Sequence, residues 1–207
     1  MSTGVIGIPL PMERMRPAVP KLVFGLKSDR FMDVAQAIMT TDTRPKTISL
    51  TGEFSGGKFK IIGMAKGAGM IAPNMATMLS IILTDIKVEE AFQKKTLKEA
   101  VNNTFNRITV DGDTSTNDTV LILAGGCPNS PLLGSTESDK NAFDKALNQV
   151  CTDLARQIVS DGEGATKVVE IEVVGAPDVD SAHKIARKIA ESPLVKSAFH
   201  GEDPNWG

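Results

Sequence analysis

The chain is expected to fold as an α/β (α+β) domain, and three observations carry that expectation. Apolar runs of strand length alternate with segments of helical periodicity along the whole chain. Two long segments keep apolar residues on one helical face: Phe92, Leu97, Val101, Phe105 and Ile108 in the first, Phe143, Leu147, Val150, Leu154 and Ile158 in the second. Glycine-rich punctuation, at Gly52–Gly57, Gly125-Gly126 and Asp161–Ala165, separates the segments.

In chain order, Val5–Leu10 reads as a short strand closed by Pro11, and Met32–Met39 as a short helix ending in Thr40-Thr41-Asp42-Thr43. Lys46–Leu50 and Lys58–Met64 form a hairpin with glycines in its turn. Lys66–Met75 is irregular and small-residued, and Thr77–Ile86 is a continuous apolar run that suits a buried strand. Helices are expected over Val88–Ile108, Ser138–Val159 and Asp178–Ile189, with strands at Val120–Leu123, Lys167–Val174 and Leu194–Phe199. The abrupt ends read as those of an internal piece of a longer protein.

Composition removes several function classes. The 23 basic and 25 acidic residues leave a net charge of −2, so bulk electrostatics speak against nucleic acid or an anionic membrane as partner. No apolar run approaches the roughly 18 residues of a membrane helix. Cys127 and Cys151 are too few for a disulfide framework, and the Met1–Gly4 start carries no secretory pattern. A cytoplasmic protein is expected.

Two motifs are decoys. Gly52–Lys58 matches the glycine and lysine spacing of a P-loop, but Phe59 stands where the metal-binding hydroxyl belongs and a strand follows. Asp111 and Asp113 suggest a calcium loop, yet Thr116 replaces its glycine and no closing glutamate follows. Cys127, Cys151, His183 and His200 lack ligand spacing, so no metal site is expected.

The chemistry concentrates in Lys66–Leu79, KGAGMIAPNMATML, where a small-residue loop runs directly into a strand at Thr77. Cleavage of the Ala76–Thr77 bond would make Thr77 an N-terminal residue. Its own α-amine, with an ordinary pKa of about 7.7–8.0, then serves as base for its hydroxyl, a role no backbone amide can fill. On spacing alone the plainer reading, an ordinary strand residue after a glycine loop, is the better one.

The same stretch resembles the self-cleavage motif of the glutamate N-acetyltransferase (ornithine acetyltransferase) family of arginine biosynthesis. Ser2–Leu10 (STGVIGIPL), Ala37–Thr43 (AIMTTDT), Val110–Thr119 (VDGDTSTNDT), Asp161–Lys167 (DGEGATK) and Gly201–Gly207 (GEDPNWG) follow that family's pattern in its order, across essentially the whole chain. The resemblance implies layered sheets and helices of the N-terminal-threonine ornithine acetyltransferase type. It implies self-cleavage between Ala76 and Thr77, dividing the chain into an α part, residues 1–76, and a β part, residues 77–207.

It further implies that Thr77 carries acetyl from N-acetylornithine to glutamate as a threonine ester, with Thr3 and Gly4 as the oxyanion hole. Thr40, Lys66, Thr77 and Glu163 match substrate-binding positions. Lys66 suits a substrate carboxylate and Glu163 an α-ammonium, while Asn74 lies near the cleavage point. Asp111–Asn117 either shapes the site or closes a loop, the latter being the simpler reading. No cofactor is implied, and whether acetyl-CoA also serves as donor stays open. The implied assembly is two α and two β chains, cytoplasmic in a bacterium and mitochondrial in a fungus.

Family members extend past both ends of this chain and supply an Asn and a Ser or Thr to the site from their C-terminal part. An inactive fragment or an interaction module with an intact Ala76–Thr77 bond is therefore an alternative, and a related N-terminal-nucleophile aminopeptidase is another.

Overall fold

The computed structural model describes residues 7–72, 78–115, 117–125 and 129–204. Its centre is a four-stranded sheet in the order β1-β2-β3-β4, formed by β1 (Lys46–Phe54), β2 (Gly57–Lys66), β3 (Leu79–Thr84) and β4 (Thr119–Ala124). β1 and β2 make the expected hairpin, in register from Lys46 opposite Ala65 to Phe54 opposite Gly57. Ser55 and Gly56 form its turn, and Gly57 leaves it with φ +131, a conformation that favours glycine.

β3 returns antiparallel to β2, so Lys66 at the end of one strand lies opposite Leu79 at the start of the next. β4 pairs with β3 in parallel, which requires a crossover. Helix α3 (Glu90–Asn103) and a 3-10 turn at Phe105–Arg107 provide it. Glu89 starts α3 by accepting the N–H groups of Ala91 and Phe92.

The long helix α4 (Glu137–Ser160) lies across β1 and β2 and against α3. Its buried face is Phe143, Ala146, Leu147, Val150, Cys151, Leu154, Ala155 and Ile158, the three- and four-residue spacing that the sequence displays. Opposite it stand Phe59 and Ile61, with the Phe59 and Phe143 rings 5.7 Å apart. Gly63 permits the close approach: a Cβ there would lie 2.9 Å from Leu154 Cδ1 and 3.1 Å from Val150 Cγ1.

Polar contacts set the ends of α4. The Thr136 hydroxyl accepts the N–H of Asp139, and the Asp139 carboxylate accepts the N–H and hydroxyl of Ser55, both at 2.7 Å. The hairpin tip is thereby fastened to the start of the helix.

The remaining helices are α1 (Met12–Phe24), α2 (Phe31–Ala37), α5 (Val179–Ala190) and α6 (Pro193–Gly201). Two expected strands are corrected in full. Lys167–Val174 has strand composition but enters no ladder, and Val174 is 80% exposed; a strand exists only where an edge is available to pair with it. Leu194–Phe199 is helical, because Ser192 caps α6 by accepting the N–H of Val195 and Pro193 occupies its first turn. α1 was not expected around Pro17 and Pro20; it forms without burying any residue. Of the expected strand Val5–Leu10, residues 5 and 6 lie outside the described residues, and residues 7–10 are not extended into a sheet.

Leu154 is fully buried between α4 and β2. Leu154→Ala is expected to lower stability by about 2–5 kcal/mol, measured by urea denaturation, since the cavity adds to the lost transfer energy.

Candidate active site

The polar centre of the molecule is Lys46, at the first position of β1 and wholly buried. Its Nζ donates to Asp42 Oδ1 and to Asp161 Oδ2, both at 2.6 Å. Asp42 lies in the turn after α2, and Asp161 is the residue that ends α4. Asp42 also accepts the N–H of Gly67 at 2.6 Å and of Thr40 at 3.1 Å. Asp161 accepts the N–H of Thr43 at 3.0 Å and the Thr43 hydroxyl.

Burial alone would raise both carboxyls. For Asp42 it is outweighed by the Gly67 N–H, the Lys46 ammonium and the Thr40 N–H, and for Asp161 by Lys46 and Thr43. Both groups are held below the ordinary carboxylate value.

Lys66 ends β2 and is fully buried, with its Nζ 3.4 Å from the Thr40 hydroxyl. Burial pulls this ammonium down; Asp42 and Asp118 raise it, Lys46 lowers it, and the net shift is downward. Beyond Lys66 the chain turns at Gly67, whose φ is +150, and at Met70, a non-glycine residue with φ 51.

Three partners hold that turn. Asp111 accepts the N–H groups of Met70 and Ile71, at 2.5 and 3.0 Å. Val110 N donates to the Ile71 carbonyl at 2.6 Å, and Glu163 N donates to the Ala68 carbonyl at 2.8 Å. The Glu163 carboxylate stands over Gly69 so closely that a Cβ there would lie 2.8 Å from Oε1.

Of the sequence-predicted site residues, Thr40, Lys66 and Glu163 thus meet around one loop, 67–72, although two of them are far from it in sequence. Thr3, Gly4, Asn74, Ala76 and Thr77 lie outside the described residues. Asp111 does both things the sequence left open: it accepts the N–H of Asp113 within its own loop at 3.0 Å, and it holds Met70 and Ile71 of loop 67–72.

The sequence reading missed Asp42, Lys46, Asp118 and Asp161. Asp42, Asp118 and Asp161 lie inside motifs that it singled out, but nothing in a linear motif says which carboxylates will be buried. Asp118 accepts the N–H of Met78 at 2.7 Å, and burial pushes its carboxyl up to about 6, against the lowering pull of that N–H and of Lys66.

On the far side of Glu163 a cavity of about 610 Å³ opens between the C-terminal half of α4, α5 and α6, with Arg107, Arg156, His183 and Lys196 on its wall. Among the described residues no group of three His, Cys, Asp or Glu side chains is placed to hold a metal. No helix among them is long and apolar enough to cross a membrane.

Over residues 1–207 the chain matches the ArgJ family. It belongs to that family. Among relatives, the arginine biosynthesis bifunctional protein ArgJ of Desulfotalea psychrophila is 53% identical over 207 residues, which are 100% of this chain and 52% of that protein. Its namesake in Geobacter sulfurreducens is 50% identical over 206 residues, again 52% of its length. The chain spans about half the length of the curated relatives it matches. The crystal structure of the Bacillus halodurans ArgJ protein superposes with a TM-score of 0.55 at 47% identity, covering 59% of this chain and 58% of that one. The mixed α/β class read from the sequence is thereby the class of this ArgJ chain.

The buried triad yields a test. Lys46→Met removes the cation between two buried carboxylates and is expected to cost about 3–5 kcal/mol in chemical denaturation. In the unsubstituted protein, Asp42 and Asp161 titrate below their ordinary 3.8 when folded. Their contribution is therefore present above that value and lost as pH falls through the lower folded values. Lys46→Met should flatten this acid dependence, read as the midpoint of urea unfolding against pH.

Proposed function

We propose that this chain works, within a full-length ArgJ protein, in acetyl transfer from N-acetylornithine to glutamate in arginine biosynthesis. The observation that carries the reading is the gathering of Lys66, Thr40 and Glu163 around the loop that leads to Ala76–Thr77.

In this reading the Thr77 hydroxyl attacks the Ala76 carbonyl, its proton passes to the departing amine, and water hydrolyses the resulting ester. Residues 1–76 become an α chain and residues 77–207 begin a β chain, paired as two of each in the cytoplasm. The freed α-amine of Thr77 then accepts the hydroxyl proton as Oγ attacks the acetyl carbonyl of N-acetylornithine. Ornithine leaves with that proton, and the acetyl-threonine ester is attacked by the amine of glutamate. Thr3 and Gly4 supply donors to the oxyanion formed in each half-reaction.

The buried Lys66 offers a positive charge to a substrate carboxylate, with Thr40 orienting its ammonium. Glu163 is exposed at the loop and free to pair with a substrate α-ammonium. No resident cofactor takes part; acetyl-CoA would enter only as an alternative acetyl donor.

Intact mass and N-terminal sequencing of the full-length protein test the first step. Two pieces, the second beginning at Thr77, are expected, and Thr77→Ala should give one uncut, inactive species. A single uncut species from the unsubstituted protein overturns the reading. Glu163→Gln should retain cleavage but lower kcat/KM for N-acetylornithine about 10- to 100-fold, the loss expected for one charged hydrogen bond. An unchanged kcat/KM would remove Glu163 from the substrate site.

A further inference from the structure

The sheet has two faces, and the helices α3 and α4 both cover the same one. Alternation along the strands turns Ile61, Gly63, Ile82 and Ile122 toward α4, and α3 adds Phe92 and Leu97 to that layer. The residues between them point the other way. On β1 they form a polar row, Thr47, Ser49, Thr51 and Glu53. On the next three strands the row turns apolar: Ile62 on β2, Ile81 and Leu83 on β3, Leu121 and Leu123 on β4. Register sets these side by side, with Ile62 opposite Leu83, Ile81 opposite Leu121 and Leu83 opposite Leu123. Among the described residues none of the five joins the apolar cluster under α4. Ile62, Ile81 and Leu83 are half-buried, Leu121 is 40% exposed and Leu123 is 53% exposed.

A strand with one face in water alternates polar and apolar residues, as β1 does. β3 (LSIILT) and β4 (TVLILA) are apolar on both faces, and they are the parallel pair of the sheet. Parallel strands with continuous apolar runs belong to sheets covered on both sides. A contiguous apolar patch of this kind marks a contact surface.

Two observations say what covers it. On the same face Met64, Lys66 and Leu79 are already buried, so the patch carries the interior outward instead of standing apart as a detachable contact. The chain also spans about half the length of the curated relatives it matches, so a full-length ArgJ protein brings about as many residues again to the fold. That is material enough for a second layer over the sheet.

We propose that this open face seats an apolar layer from the half of a full-length ArgJ protein that this chain does not span. The layer packs across Ile62, Ile81, Leu83, Leu121 and Leu123 and ends at the polar row of β1, with the exposed Lys58 and Lys60 bordering it at the hairpin end. Its facing surface is apolar and uncharged, because the patch offers no partner for a charge. The inference stands apart from the proposed cleavage and acetyl transfer.

The test is hydroxyl-radical footprinting of the full-length protein, read residue by residue by mass spectrometry, with a free peptide of residues 117–125 as the unprotected reference. Ile122 is buried against the other layer and serves as the internal standard. Leu121 and Leu123 are expected to be oxidised as slowly as Ile122, several-fold below the rate of an open face. Leu123→Asp in the full-length protein is expected to lower the midpoint of urea unfolding, while Ser49→Asp, on the polar row of the same face, leaves it unchanged. Where Leu123→Asp does not fold, the footprint decides, since it needs no substitution.

Leu121 and Leu123 oxidised several-fold faster than Ile122 in the full-length protein overturn the assignment. Protection that disappears on dilution overturns it too, because the occupant is then a second copy. Equal protection in the monomeric 207-residue chain also overturns it, because the occupant is then a segment of this chain. An uncut full-length protein would overturn the proposed cleavage and leave this footprint as it stands.

Discussion

The arrangement of this molecule depends on one buried ammonium. Lys46 Nζ sits between Asp42 and Asp161, and those carboxylates accept backbone N–H groups from Thr40, Thr43 and Gly67. The start of β1, the turn after α2, the end of α4 and the first residue beyond β2 are therefore fixed relative to one another at a single point. An apolar cluster of equal volume could be as favourable energetically, but it could not accept those N–H groups or set their directions. The ion triad is better understood as a device for geometry than as a source of stability.

Stability comes from the apolar layer that continues along the same face of the sheet. α4 presses Phe143, Val150, Leu154 and Ile158 onto β1 and β2, while Phe59, Phe92 and Phe143 form a chain of tilted ring contacts. α4 serves both parts of the structure: its apolar face builds the core, and the residue that caps its C-terminal end, Asp161, enters the triad. A shift of the helix along the sheet would therefore disturb the polar site as well as the packing. Close approach makes this coupling stiff, since Gly63 leaves no slack under Leu154 and Gly134 leaves none under Asp139.

The loop at 67–72 inherits its shape from this frame. Asp42 takes the first N–H of the loop, Asp111 takes two in its middle, and Glu163 meets it from the segment just beyond Asp161. Charge is concentrated around it. Lys46 and Lys66 face Asp42, Asp161 and Asp118 in a region shielded from water, where burial, charge and hydrogen bonds shift the protonation of Lys66 and of the three carboxyls.

Much of the fold was legible in the sequence because periodicity is a local property. The stripe of α4, the β1–β2 hairpin and the apolar run of β3 each record which face will be buried, whatever covers it. Local pattern failed where the outcome turned on a partner or a cap. Lys167–Val174 has the residues of a strand but no edge to join, and α6 is set by Ser192 and Pro193 ahead of its apolar residues. The motifs likewise marked Thr40, Lys66 and Glu163 as one group. They did not distinguish Asp42, Asp118 and Asp161 from the chain's other acidic residues, because burial and pairing arise between segments far apart in sequence; Lys46 and Asp161 are separated by 115 positions. The sequence by itself determined the elements and the chemistry available. Only the tertiary structure decided which charges lose their water, and so which of them orient the site.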